Sequence, residues 1–177
     1  MEEIGRRVLM TKGNLYHYFR NKQEILYYVQ RSFLDRLLRI AARTLGMTAA
    51  PAAKLHALIE AHVRCLLEEV QGSFAHLEFE SLPPSKRRSL LAKRDRYEAL
   101  LRRGIEEGVR GGGFAQVDPK LASLAILGAV NWTVRWYRED GGWTASWIAG
   151  ELARILVRSL QVKPRRYAPV SLEGVMA

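Results

Sequence analysis

Residues 11–29 read Thr-Lys-Gly-Asn-Leu-Tyr-His-Tyr-Phe-Arg-Asn-Lys-Gln-Glu-Ile-Leu-Tyr-Tyr-Val. The pattern predicts a short helix, a sharp break and the start of a long helix. Thr11 can cap the first helix by accepting a hydrogen bond from a free backbone N–H. Leu15 and Phe19 are four apart, so they share a face and pack inward. Asn14, Tyr16, His17 and Tyr18 then point outward or sideways, and such side chains suit base edges, thymine methyls and phosphate oxygens. Asn21 caps the next helix, with Glu24 three residues on as in a capping box. Lys22 sits in the first turn, where a helix N-terminus already attracts phosphate. Residues 2–8 form a further short helix, with Ile4 and Val8 on one face. Helix, tight turn and exposed aromatic helix together describe a helix-turn-helix DNA reader.

The same residues carry a family resemblance. Glu-Glu-Ile-Gly-Arg-Arg-Val at 2–8, Thr-Lys-Gly-Asn-Leu-Tyr-His-Tyr-Phe at 11–19 and Arg-Asn-Lys-Gln-Glu-Ile-Leu at 20–26 resemble the TetR family of bacterial repressors. The resemblance implies DNA contacts from Thr11, Lys12, Gly13, Asn14, Tyr16, His17, Tyr18 and Lys22. Family members carry another helix before this point. Here Met1 falls where that helix would end, so the expectation is that the first helix is missing and the natural product begins upstream.

Net charge is +10, and half of that excess lies in residues 1–45, with nine Lys+Arg against four Asp+Glu. A basic quarter that coincides with the reader fits a polyanionic partner. Apolar content of 48% suffices for a real core. The one cysteine, Cys65, lies in an apolar helical pattern and has no intrachain partner, which favours a reducing cytoplasmic location and a packing role. There is no apolar run long enough for a membrane span.

No segment alternates strictly, so the chain reads as all-α, with eight helices. A long helix from Lys22 carries Ile25, Val29, Phe33, Leu37, Ile40 or Ala41, and Leu45, and Gly46 stops it. Pro51 leads into a helix at 54–71 with Leu55, Leu58, Ile59, Val63, Leu66, Leu67 and Val70. A shorter piece at 73–82 ends at Pro83-Pro84. Ser85 caps a helix at 86–110, whose inner stripe is Leu90, Tyr97, Leu101, Ile105 and Val109. Gly111–Gly113 break it. Asp118 and Pro119 open a helix to about 138 that is apolar on most sides, which predicts burial on more than one face. The last helix starts at Thr144 or Ala145, and the chain frays after Val162. The domains expected are 1–45, the DNA-binding unit with its connecting helix; 46–163, a ligand-binding and dimerisation body; and 164–177, a tail.

The resemblance implies that the last two helices dimerise as a four-helix bundle. Trp132, Trp136, Trp147, Ile148, Leu152, Ile155 and Leu156 are the expected interface, and tryptophans in such number exceed the needs of one small core. It also implies a body that binds a small-molecule effector and so releases the DNA. Asn131 and Arg135 are four apart on a greasy helix. Arg135 either pairs with Glu78 or Glu80, or meets an anionic ligand. Asn131-Trp-x-x-x-Trp-Tyr137 resembles the FadR-type subgroup, regulators of fatty-acid degradation that sense acyl-coenzyme A. On that resemblance Phe74, Leu77, Tyr97, Trp132 and Trp136 line an acyl slot, and Arg96, Arg103 and Arg135 meet phosphates. Arg96, Arg103 and Arg110 recur every seven residues, which equally describes a solvated face.

Neither a metal site nor a catalytic constellation is expected. His56 and Glu60 are one turn apart, the spacing of an ordinary helix-surface pair, and His62 near Cys65 lacks an orienting third group. The expected partners are double-stranded DNA, a small-molecule effector and a second copy of the chain, with no membrane and no cofactor. The alternatives are a TetR-like sensor of another apolar effector, or a ligand-binding or interaction protein that does not bind DNA if the short N-terminus is genuine.

Overall fold

The computed structural model describes residues 19–69 and 81–162. Expectations for the helices at 2–8, 11–18 and 73–80, and for the tail at 164–177, lie outside those residues. Five α-helices make up the described part: α1 Lys22–Leu45, α2 Pro51–Arg64, α3 Pro84–Arg110, α4 Pro119–Trp136 and α5 Ala145–Leu160. No described residue lies in a β-strand.

The Asn21 side chain accepts from the Glu24 N–H at 3.0 Å, as its type predicts. The reciprocal half of the box is displaced by one residue, since Glu24 Oε2 accepts from the Arg20 N–H at 2.8 Å rather than from Asn21. The buried side of α1 is Ile25, Leu26, Gln30, Leu34, Leu37, Ala41 and Thr44. The expected Val29, Phe33, Ile40 and Leu45 are only half-buried. The face is rotated because α1 has two neighbours: Leu26 and Leu34 pack with Leu82 and Leu90 beside α3, while Leu37 and Ala41 join the main core with α2.

Helix α2 is the hub. It touches α1, α3, α4 and α5, and Leu55, Leu58, Ile59 and Val63 are each at most 1% exposed. Truncating any one to alanine would cost about 2–5 kcal/mol. Ala149 and Ala153 of α5 are fully buried and small, which lets α5 lie close against α2. Past Arg64 the helix widens into a π turn, Cys65–Glu69. Three successive residues, Cys65, Leu66 and Leu67, are buried there. An α-helix turns about 100° per residue and would swing one of them outward.

Helix α3 starts earlier than its Ser85 suggests. Pro84 takes the first turn, where its missing N–H leaves nothing unpaired, and Pro83 holds the cap position without a side-chain bond. Its exit is a Schellman turn: Gly113 N–H donates to Gly108 O and Gly112 N–H to Val109 O, with Gly112 at φ +72°. The turn drives Phe114, 1% exposed, back onto Gly108. Ala115 N–H then donates to Leu160 O at 2.8 Å, tying this exit to the end of α5.

Asp118 caps α4 by accepting from Leu121 N–H at 2.7 Å, and Thr144 caps α5 by accepting from Trp147 N–H at 3.2 Å. In the single chain α4 buries only one face, through Ser123, Ile126, Val130, Thr133 and Val134. The other face, with Leu121, Leu124 and Trp132, stays open in the single chain.

A methyl group added at Gly108 would stand 2.1 Å from Phe114 Cδ2. Alanine gains about 1 kcal/mol over glycine in helix propensity, but forcing the ring out costs about 1–3 kcal/mol or more. Gly108→Ala should therefore lower the thermal midpoint by several degrees, and adding Phe114→Leu should restore part of the loss. A midpoint raised by Gly108→Ala alone would show that the ring is not held there.

Candidate functional site

A cavity of about 350 Å³ opens among α1, α2, α3 and α4. One side is apolar, with Phe33, Leu34 and Leu37 from α1 and Leu124, Leu127 and Gly128 from α4. The other side is polar, with His62, Arg94, Asp95, Tyr97, Glu98, Lys120 and Asn131.

The polar groups are held by their neighbours. The Tyr97 hydroxyl and His62 Nδ1 share a hydrogen bond of 3.2 Å, and their rings meet edge to face at 5.1 Å. Burial, aided by nearby Cys65, pushes the Tyr97 phenol pKa up, so it stays protonated. Glu98 is also buried. Its Oε2 accepts from Lys120 Nζ at 2.8 Å and its Oε1 from the Ser123 hydroxyl at 2.6 Å, with Arg102 at 3.8 Å. Burial alone would push the carboxyl up. The hydrogen bonds from Lys120 and Ser123, with the charges of Lys120 and Arg102, outweigh it and hold the pKa below its ordinary value. Burial lowers the pKa of Arg94, but a guanidinium remains charged. The half-buried Asn131 amide makes no side-chain hydrogen bond among the described residues.

The expected ligand residues divide. Tyr97 and Asn131 line the cavity. Arg96 and Arg103 do not: both are exposed, and Arg103 lies 3.4 Å from Glu107 in an i, i+4 pair. Arg96 is two residues from Arg94, about 200° round the helix and so on the outer side. Trp132, Trp136 and Arg135 are likewise exposed and off the cavity, so Arg135 is not the buried guanidinium expected. Phe74 and Leu77, with Glu78 and Glu80, lie outside the described residues. The sequence reading missed Phe33, Leu34, Leu37, His62, Arg94, Glu98 and Lys120 as cavity residues. The available signal was His62, a polar residue four positions from both Leu58 and Leu66 and so on the apolar face of that helix.

A second surface is apolar and open. Trp132, Trp136, Trp143 and Trp147 are 63%, 43%, 59% and 50% exposed, joined by Leu121 and Ile155. Trp143 and Trp147 stack at 5.2 Å. Of the expected interface residues, Leu152 and Leu156 are half-buried. Ile148 faces inward into the chain's own core, because it shares the face of Ala149 and Ala153 that meets α2. Of the expected DNA contacts only Lys22 is described, exposed in the first turn of α1. Thr11, Lys12, Gly13, Asn14, Tyr16, His17 and Tyr18 lie outside. His56 Nδ1 stands 3.6 Å from Glu60 Oε2 on the surface of α2. No described helix is long and apolar enough to cross a membrane.

The described residues are thus a helical body with a cavity among four of its helices, the build of a bacterial transcriptional regulator's C-terminal domain. Residues 48–160 match the family described as tetracyclin repressor-like, C-terminal domain, and residues 1–29 match the bacterial regulatory proteins of the tetR family. The chain belongs to the TetR family: it is a DNA-binding transcriptional repressor and not an enzyme. It is 33% identical to the TetR family regulator PfmR of Thermus thermophilus, whose crystal structure aligns at TM-score 0.76 over 89% of this chain and 86% of that one. It is 28% identical to the transcriptional repressor KstR2 of Mycobacterium tuberculosis over 84% of this chain and 76% of the relative. The structure of AibR, solved with isovaleryl coenzyme A and operator DNA, aligns at TM-score 0.66 with 25% identity, over 90% and 85% of the two chains.

The depressed Glu98 pKa means that the folded state favours the ionised carboxylate. Its stabilisation is complete above the ordinary carboxylate range and is lost as pH falls through it. The thermal midpoints of wild type and Glu98→Gln should therefore differ most near neutrality and converge on acidification from about pH 5 to about pH 3. A gap that stays constant over that range would remove Glu98 as its source.

Proposed function

We propose that the chain is a ligand-responsive repressor that binds a near-palindromic operator as a homodimer and is released by an acyl-coenzyme A, in control of fatty-acid degradation. The observation that carries the effector reading is the cavity's wall on α1, where Phe33, Leu34 and Leu37 face whatever fills it. That helix runs on from the reader residues, so a ligand that fits one position of α1 better than another biases the readers. An apolar side and a polar side suit an acyl chain with a carbonyl head. The likeness to AibR, solved with an acyl-coenzyme A and operator DNA, supports the same class of effector. The likeness to KstR2, described as a ketosteroid regulator, favours a second reading, a ring-shaped apolar effector.

The open tryptophan face of α4 and α5 supports the dimer. Aromatic residues enrich interface cores, and two stacked indoles in water have no other evident use. Two readers then reach successive major grooves. Asn14, Tyr16 and His17 touch bases, while Thr11, Lys12, Tyr18 and Lys22 hold the backbone.

Fluorescence anisotropy on a labelled fragment from the chain's own promoter region tests this. Affinity should fall steeply as salt rises, by about 0.9 log units per log unit of salt for each phosphate neutralised. Octanoyl-coenzyme A should weaken DNA binding about 5–150-fold. Flat salt dependence would sink the repressor reading, and release by a steroid acid alone would favour the second one. Tyr16→Ala should weaken operator binding with an unchanged thermal midpoint; a lowered midpoint would make Tyr16 a core residue. Trp132→Glu should turn a dimer into a monomer by light scattering, and a dimer that survives it together with Trp147→Glu would move the interface elsewhere.

A further inference from the structure

We propose that Lys86 of α3 is a positioning residue for the DNA reader: acting through Glu24, it holds the link between the reader motif and α1, and so fixes the angle at which the reader is presented. The inference rests on the reading of residues 11–18 as the reader and of the chain as binding a palindromic operator.

The link is short. Asn21 caps α1, and only Phe19 and Arg20 stand between that cap and the reader residues. Glu24 grips the link from the first turn, its Oε2 accepting from the Arg20 N–H at 2.8 Å. Its other oxygen faces α3. Lys86 Nζ stands 3.7 Å from Glu24 Oε1 and 5.3 Å from the centre of the Tyr27 ring. One carboxylate thus joins the backbone of the link to a cation on another helix. The hydrogen bond from the Arg20 N–H outweighs the opposing effect of burial, and with the charges of Lys86 and Arg20 it holds the Glu24 carboxyl below its ordinary range. Glu24 is therefore ionised at neutral pH.

The pair belongs to a longer seam. Gln23 Nε2 donates to Ser81 O at 2.6 Å, the Tyr27 and Ser89 hydroxyls lie 3.4 Å apart, Lys93 pairs with Asp35, and Leu45 Cδ2 lies against Gly104. The partners advance together along both helices, so α1 and α3 run side by side in the same direction. Leu26, Leu34, Leu82 and Leu90 give this seam a small core of its own, distinct from the main one. Each polar contact is half-exposed and stabilises little by itself. Together they fix where the first turn of α1 lies. A dimer on two half-sites depends on that placement, because its readers must meet major grooves about 34 Å apart. A reader already held at its angle also loses less freedom on binding.

Fluorescence anisotropy on the full chain tests the inference, with the fragment from its own promoter region and a shuffled duplex of the same length and composition. Lys86→Met keeps the stem and removes the charge. Glu24→Gln keeps an acceptor for the Arg20 N–H. Each should weaken binding to the promoter fragment by about 3–30-fold, the range that one half-exposed ion pair and one cation–π contact can supply. Affinity for the shuffled duplex should stay within about twofold, Lys86→Arg should keep wild-type affinity, and the double variant should bind no more weakly than the weaker single one.

The direction for Glu24→Gln is decisive. Removing an acid near DNA strengthens binding by charge alone, whereas a lost positioning contact weakens it. Tighter binding by Glu24→Gln would overturn the inference, as would wild-type affinity in both variants. Lys86→Met weakening both duplexes alike, with the salt slope reduced by about 0.9, would make Lys86 a phosphate contact instead. If Lys86→Met does not fold, by its thermal midpoint, Glu24→Gln decides alone. Failure of wild type to tell the promoter fragment from the shuffled duplex would overturn the operator reading and this inference with it.

Discussion

A histidine is buried in α2, the helix that packs against four others. His62 is 4% exposed on α2, between residues that meet four other helices. An imidazole in such a place must be hydrogen-bonded, or its desolvation would cost about 1–3 kcal/mol. Tyr97 of α3 answers it, and in doing so fixes the register of α3 on α2. Once that register is set, Leu101 and Ile105 fall into the main core and Glu98 turns toward α4, where Lys120 and Ser123 meet it. The contact between α3 and α4 thus follows from a polar pair one turn away. The same pair lines the cavity.

That space combines two kinds of wall for a physical reason. The α1 side is built from side chains that must also serve the packing of α1 on α2, so it is apolar. The charged groups come from α3 and from Lys120 of α4, where long polar residues reach across between two helices and pair. A ligand that exploits both is amphipathic.

Much of the helical order was legible from the chain. The stops at Gly46 and Gly111–Gly113, the caps at Asn21 and Asp118, the start of the last helix at Thr144 or Ala145, and the inner stripe of α3 from Leu90 to Ile105 all rest on local rules. What sequence concealed depends on which helix lies beside which. The α1 face is rotated because it serves two neighbours at once. The π turn after Arg64 has no local signal in the chain. Ile148 and Trp147 are adjacent and both apolar, and only the docking of α5 on α2 decides which one turns inward. Little of the cavity was legible: Asn131 declared itself as a polar group on a greasy helix, and Tyr97 as part of an apolar stripe. Glu98, Lys120 and the α1 residues did not, since carboxylates, lysines and leucines are ordinary on helices. The arginines at 96 and 103 attracted notice by their repeat, yet a heptad on one helix says nothing about where that face points.

The Phe114 clasp has a mechanical meaning. Phe114 is locked on Gly108, and its neighbour Ala115 is bonded to Leu160, so the chain leaves and returns at one point. Helices α4 and α5 therefore form a closed loop hung from the foot of α3. A load applied across the tryptophan face has no slack to take up within that loop. It reaches α3 through the clasp and α2 through the packing of α5, and α3 is the rod that carries Tyr97 and Glu98.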